Sequence, residues 1–173
     1  MKQKILIWLL IICMPLCAQF PPLEISADHV LAIPNGTVEV SIRAGSNWHN
    51  ITSINGTINF DFQILDNVEL SFWGLTNPGG TVFSDLGGGF LTFNWESLIS
   101  IGPYLNQDDV VFMLQFDVIG GEGGGSFIAF TSVPEPMYWE NGFEWSGNNF
   151  TITHGSVTVG SIEDDIIFRN DFE

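Results

Sequence analysis

DDVVFMLQFDVIGGEGGGSF, residues Asp108 to Phe127, sets Val110, Phe112, Leu114, Phe116 and Val118 at every second position, with Met113, Gln115 and Asp117 between them. Successive side chains of a strand point to opposite sides, so this is the period of a β-strand with one face in a core. Gly120-Gly121 and Gly123 to Gly125 then end the run, because glycine reaches positive φ without steric cost. The glycines after Glu122 are expected to turn the chain sharply and to start the next strand at Phe127 and Ile128.

The same period recurs on both sides of this stretch. Val38, Val40 and Ile42 alternate with Thr37, Glu39, Ser41 and Arg43, while Ile58, Phe60, Phe62 and Ile64 alternate with Asn59, Asp61 and Gln63. Leu91, Phe93 and Trp95 alternate with Thr92, Asn94 and Glu96, and the pattern continues through Phe150, Ile152, Val157 and Val159. Turn-forming clusters separate these runs: Pro34-Asn35-Gly36, Asn55-Gly56, Asn77-Pro78-Gly79-Gly80, Gly87-Gly88-Gly89 and Gly147-Asn148-Asn149. No window of comparable length has a helical period; Glu96 to Ile101 reads as either a helical turn or a loop. Short strands with one-sided alternation at this spacing predict an all-β, two-sheet β-sandwich of about nine strands, spanning residues 19–160.

Ahead of the domain, Lys2 and Lys4 precede an apolar run from Ile5 to Ile12, followed by Pro15 and Ala18. This is the order of a secretory signal peptide, and cleavage is expected after Ala18. The alternative, a retained anchor, is opposed by the shortness of the run and by the lack of a basic stop-transfer cluster. Both cysteines, Cys13 and Cys17, lie in this leader, so the mature chain is expected to carry no thiol and to stand on its core. Of 4 Lys and Arg two are Lys2 and Lys4, and all 20 Asp and Glu come later, which gives the mature chain 2 − 20 = −18. That balance excludes a phosphate backbone and disfavours an anionic membrane surface. It suits solubility, or else Ca²⁺ or a basic partner. Residues 161–173 form an acidic tail in which Glu163, Asp164 and Asp165 read as solvated.

Candidate chemistry is sparse. His29, His49 and His154 have no metal-ligand spacing, and no Gly-x-Ser-x-Gly elbow occurs. Glu135, Glu140 and Glu144 are the nominees for a glycosidase carboxylate pair, a reading set aside because acidic loop residues are common. Tyr138, Trp139 and Trp145, with Phe143, offer either an aromatic platform for sugar rings or caps for the open end of the core. Trp48 and Trp73 are weaker nominees of the same kind. Asn106 to Asp109 holds Asp108 and Asp109 as candidate Ca²⁺ ligands, with a polar turn as the alternative. No other cofactor is implied.

Five stretches carry a family resemblance: PNGTVEVSIRA, INFDFQILDNVELSFWGLT, GFLTFNWES, DDVVFMLQFDVIG and THGSVTVG. In this order they resemble the turns and strands of the cohesin family, over roughly Leu23 to Val159, although Asp66-Asn67 lacks the proline found there. The resemblance implies a jelly-roll-like sandwich that is not an enzyme and that binds a secreted protein partner, dockerin-like, across one sheet face. A carbohydrate-binding module for polysaccharide and a structural envelope protein are the alternatives.

Overall fold

The computed structural model describes residues 21–75, 78–142 and 146–161, with the backbone alone of Pro78, Gly79 and Thr81. The leader, both cysteines, Phe143 to Trp145 and the acidic tail lie outside the described residues. What remains is all β. In chain order the strands are β1 (Leu23–Ala27), β2 (His29–Ala32), β3 (Thr37–Ala44), β4 (Ile51–Asn59), β5 (Leu65–Trp73), β6 (Pro78–Gly87) and β7 (Phe90–Ser97). They continue with β8 (Val110–Val118), β9 (Gly125–Thr131), β10 (Tyr138–Asn141), β11 (Ser146–Gly147), β12 (Phe150–Thr153) and β13 (Gly155–Val159).

One sheet has the order β12-β1-β3-β8-β5. In the other, β6 pairs with β7 and β7 with β4, while β9 and β10 follow one another along the far edge of β4. Beyond them, β13 and then β2 extend from β9, and β11 pairs with β10. The first and last strand runs of the described residues cross between the sheets side by side. β1 lies parallel to β12 in the first sheet, and β2 lies parallel to β13 in the second. The crossing is tight at Gly155, where a Cβ would sit 2.3 Å from the Asp28 carbonyl oxygen, so only glycine fits. Arg43 closes the outside of this crossing, its Nε donating to Asp28 Oδ1 at 2.8 Å and Nη2 to Oδ2 at 2.9 Å.

The core is the inward half of the alternating strands. Val40, Ile42, Phe112, Leu114 and Phe116 from one sheet meet Ile54, Ile58, Leu91, Phe93, Trp95 and Ile128 from the other. Phe112 sits at an aromatic junction, with ring centroids 5.2 Å from Phe93, 5.3 Å from Phe83 and 5.6 Å from Trp73. Such offset and edge contacts add about 0.5–1.5 kcal/mol each to the burial of the rings. Residues 21–161 contain no cysteine, so packing carries the fold without a crosslink.

Thirteen strands form where about nine were expected. Part of the excess is the crossing, which divides each terminal run at Asp28 and His154, and part is the short β10 and β11. One placement differs more. Asn55-Gly56 is not a turn but the middle of β4, which starts at Ile51 and stops at Asn59. Gly56 is needed there because Met137 reaches back into the core: a Cβ on Gly56 would lie 2.1 Å from Met137 Sδ. Phe62, expected in the core, is exposed in the turn that follows Phe60. Glu96 to Ile101 contains no helix; it is the end of β7 and the loop after it. The chain turns after β8 where expected, with Gly123 at φ 78°, but β9 opens at Gly125, two residues before Phe127.

Candidate functional site

The outward halves of the two sheets differ in charge. On the five-stranded sheet, register places Asp66 opposite Asp117, and Glu69 and Glu39 on either side of Gln115. On the other sheet, β4, β7 and β6 present Asn55 opposite Asn94, Val82 on the far side of Asn94, and Ser84 beside Thr92. Phe90 and Tyr138 flank this row, and Glu96 and Glu140 stand at one end of it. Short uncharged side chains of this kind lose less on leaving water than carboxylates do.

Beside the open part of that face, residues 132–137 arch out between β9 and β10. Thr57 holds the arch: its hydroxyl donates to the Glu135 carbonyl at 2.9 Å and accepts from the Glu135 N–H at 3.0 Å. Asn55 Nδ2 donates to the Pro136 carbonyl at 3.2 Å. At the end of β7 the loop turns Leu98, Ile99, Ile101 and Tyr104 to solvent, with Leu98 70% exposed. This loop is fixed rather than free-standing. Asn50, buried and at φ 55°, accepts the Gly102 N–H at 2.6 Å, and Leu105 N–H donates to the Trp48 carbonyl at 3.0 Å. Exposed apolar side chains held in place beside a neutral sheet face are the composition of a protein-binding surface.

The residues nominated from sequence fall elsewhere. Trp139 is 4% exposed on β10, in the core cluster, which matches the core-capping alternative and leaves its ring no face for a sugar. Tyr138 is half-buried and donates its hydroxyl to Glu140 Oε1 at 2.9 Å; Trp145 lies outside the described residues. Trp48 is fully buried, its indole N–H donating to the Glu24 carbonyl, and Trp73 packs half-buried on Phe112 and Phe83. Asp108 stands at φ 70° and its carbonyl accepts from Arg43, while Asp109 Oδ2 accepts the backbone and side-chain N–H groups of Asn106 at 2.7 and 3.1 Å. That is the geometry of a self-capped polar turn. No cluster of three His, Cys, Asp or Glu residues able to hold a metal occurs among the described residues.

The histidines are likewise dispersed. His154 Nδ1 accepts the Phe130 N–H at 3.2 Å, and His49 packs on Tyr104 with ring centroids 5.7 Å apart. His29 Nδ1 lies 2.8 Å from Ser156 Oγ on the open outer face of the paired β2 and β13. Among the described residues, no hydrogen bond to the other ring nitrogen of His29 orients it as a base. Glu135 is engaged through its backbone, so it and Glu140 are held by separate contacts; Glu144 lies outside the described residues. The Ser46 N–H holds the Glu24 carboxyl below the usual range, and the hydrogen-bonded Asp28 carboxylate raises the Arg43 guanidinium.

A type I cohesin of Clostridium thermocellum, Coh-OlpA, superposes on this chain with a TM-score of 0.68 at 18% identity, covering 80% of this chain and 99% of its own. The domain has the cohesin fold. The seventh ScaB type I cohesin of Pseudobacteroides cellulosolvens matches with a TM-score of 0.67 at 17% identity, covering 81% of this chain and 93% of that one. A non-cellulosomal cohesin from the hyperthermophilic archaeon Archaeoglobus fulgidus matches at 0.61 and 12% identity, covering 88% and 100%. No family model and no curated protein matches the chain. Thr92 is buried, whereas the surface residues Asn94 and Glu96 of the same set were within reach of the sequence as outward members of an alternating strand. The apolar loop at Leu98 was not, because a run such as SLISIGPYL gives no sign of which side chains the sandwich leaves uncovered.

Proposed function

We propose that this chain is a non-catalytic protein-binding module of cohesin type that acts outside the cell after loss of its leader. Its partner docks on the outer face of β6, β7 and β4 beside the Leu98 to Tyr104 loop. The observation that carries this reading is the contrast between the faces: one is uncharged except for Glu96 and Glu140 at one end and is bordered by exposed apolar side chains, the other is lined with carboxylates. Interface centres are poor in charge and rich in apolar and aromatic groups, which favours the neutral face. Coh-OlpA was solved in complex with the dockerin Doc918, and the sixth cohesin of Acetivibrio cellulolyticus scaffoldin B with the Cel5 dockerin. A dockerin-like secreted protein is therefore the partner class proposed, with a link to polysaccharide use as its context.

The test is retention of dockerin-bearing and other secreted proteins on the immobilised chain, compared with Asn94→Arg. Arginine at the centre of the neutral row is expected to weaken retention at least tenfold while the fold, read by near-UV circular dichroism, stays intact. Equal retention by Asn94→Arg, or retention on insoluble polysaccharide without any protein partner, would overturn the reading.

A further inference from the structure

Strand β5 is unlike the other long strands. Of its residues only Leu65 is buried; Leu70 is 36% exposed and Phe72 48% exposed, and Val68 is half-buried. Among the described residues β5 pairs with β8 alone, so its second edge presents unpaired backbone N–H and C=O groups. Beside that edge a cleft of about 380 Å³ is lined by Asn67, Val68, Glu69, Asp85, Gln115 and Asp117, bringing β6 to the same place. Asn67 Nδ2 donates to Asp117 Oδ2 at 2.8 Å, and Asp66 stands directly opposite Asp117. Arg43 is the only Lys or Arg among the described residues, and its guanidinium is held on Asp28. No cation within the domain therefore answers these carboxylates.

From this geometry we infer that the free edge of β5 receives an extended, cationic polypeptide segment of another protein, which adds to the five-stranded sheet as a further strand. Backbone pairing supplies the generic attraction, as in other cases where a peptide extends a sheet. Two register shifts set Leu70 beside Leu114 on the core-facing side and Asp66, Glu69 and Phe72 beside Asp117, Gln115 and Met113 on the outer side, so apolar residues of the incoming strand meet Leu70 while its lysine or arginine residues meet Asp66, Glu69 and, from β6, Asp85. Charge decides the occupant. A second copy of this chain would set Asp66 and Glu69 against its own carboxylates, and like charges across a strand pair destabilise it. Apart from Asp85 on β6, the surface belongs to the sheet opposite the proposed docking face, and it does not rest on that reading.

The probe is a capped ten-residue peptide of alternating lysine and valine, titrated into the full-length chain by calorimetry, with an alternating glutamate and valine peptide as control. Saturable binding of the lysine peptide is expected, weakening at least tenfold between 50 and 500 mM NaCl, with no binding of the control. Hydrogen exchange is expected to slow in the β5 amides that do not pair with β8, and not in those of β6 or β12. Each cross-strand charge pair is worth about 1.4- to 5-fold, so Asp66→Lys with Glu69→Lys, which loses two attractions and adds two repulsions of similar size, is expected to reduce affinity at least about fourfold. Asn94→Arg, on the other sheet, is expected to leave it unchanged. Should the double variant not fold, the salt and exchange results on the unaltered chain decide alone. Absence of saturable binding, equal binding of the glutamate peptide, or slowed exchange away from β5 would overturn the inference. So would protection, in the free chain, of the β5 amides that do not pair with β8, through dimerisation or through its own residues 162–173.

Discussion

Gly56→Ala tests the placement of β4 and of the arch that ends at Met137. The added Cβ would lie 2.1 Å from Met137 Sδ, 3.3 Å from its Cγ and 3.2 Å from the Phe93 ring. Overpacking of a filled core costs about 1–3 kcal/mol. Against this, alanine in a strand interior is favoured over glycine by about 0.5–1 kcal/mol through the lower entropy of its unfolded chain. The thioether is flexible and absorbs part of the clash, so the net expected loss is about 1 kcal/mol. Met137→Ala alone is expected to cost about 2–5 kcal/mol, because the buried side chain leaves a cavity. In that background the obstacle is gone, and Gly56→Ala is expected to change sign and stabilise by about 0.5–1 kcal/mol. Urea unfolding followed by tryptophan fluorescence on the four proteins gives the coupling energy directly. A coupling below about 0.5 kcal/mol, the scatter of independent sites, would show that Met137 does not fill the space facing Gly56.

Two further outcomes follow from the polar contacts. Arg43→Met is expected to cost no more than about 1 kcal/mol, because both partners of the ion pair are about a third exposed and solvent screens them; the loss should shrink in 1 M NaCl, and a salt-independent loss above about 2 kcal/mol would contradict this. Glu24 accepts the Ser46 N–H, which favours the ionised form and depresses its folded-state pKa. Its contribution to stability is therefore full above the ordinary glutamate range and is lost as pH falls through the depressed folded-state value. Carboxyl-carbon NMR should show Glu24 titrating below the usual glutamate range, and stability of Glu24→Gln should fall less on acidification than that of the unaltered chain. A Glu24 midpoint at or above the usual range would contradict the hydrogen bond.

Alternation alone placed β3, β7, β8 and β13, because each has one face in the core and one in water, and burial imprints that difference residue by residue; the start of β9 was read from its glycine joint instead. It failed where that contrast is weak or where a local signal outweighed it. β5 leaves most of its side chains in solvent, and the start of β6 is Pro78-Gly79-Gly80, so neither announces itself as a strand. Asn55-Gly56 has the composition of a turn, yet a core methionine far away in sequence needs the missing Cβ. The Trp139 case has the same origin: an aromatic-rich segment looks alike whether its rings cap a core or face a ligand.

The sequence by itself determined an all-β sandwich with glycine joints, an acidic chain poor in cations and a domain without cysteine, because these follow from short-range periodicity, turn chemistry and composition. Tertiary structure alone decided which sheet face is neutral, which edge stays unpaired and where each tryptophan points. Those depend on strand register and on the order of strands in each sheet, and pairing between residues dozens of positions apart leaves no local mark on the chain.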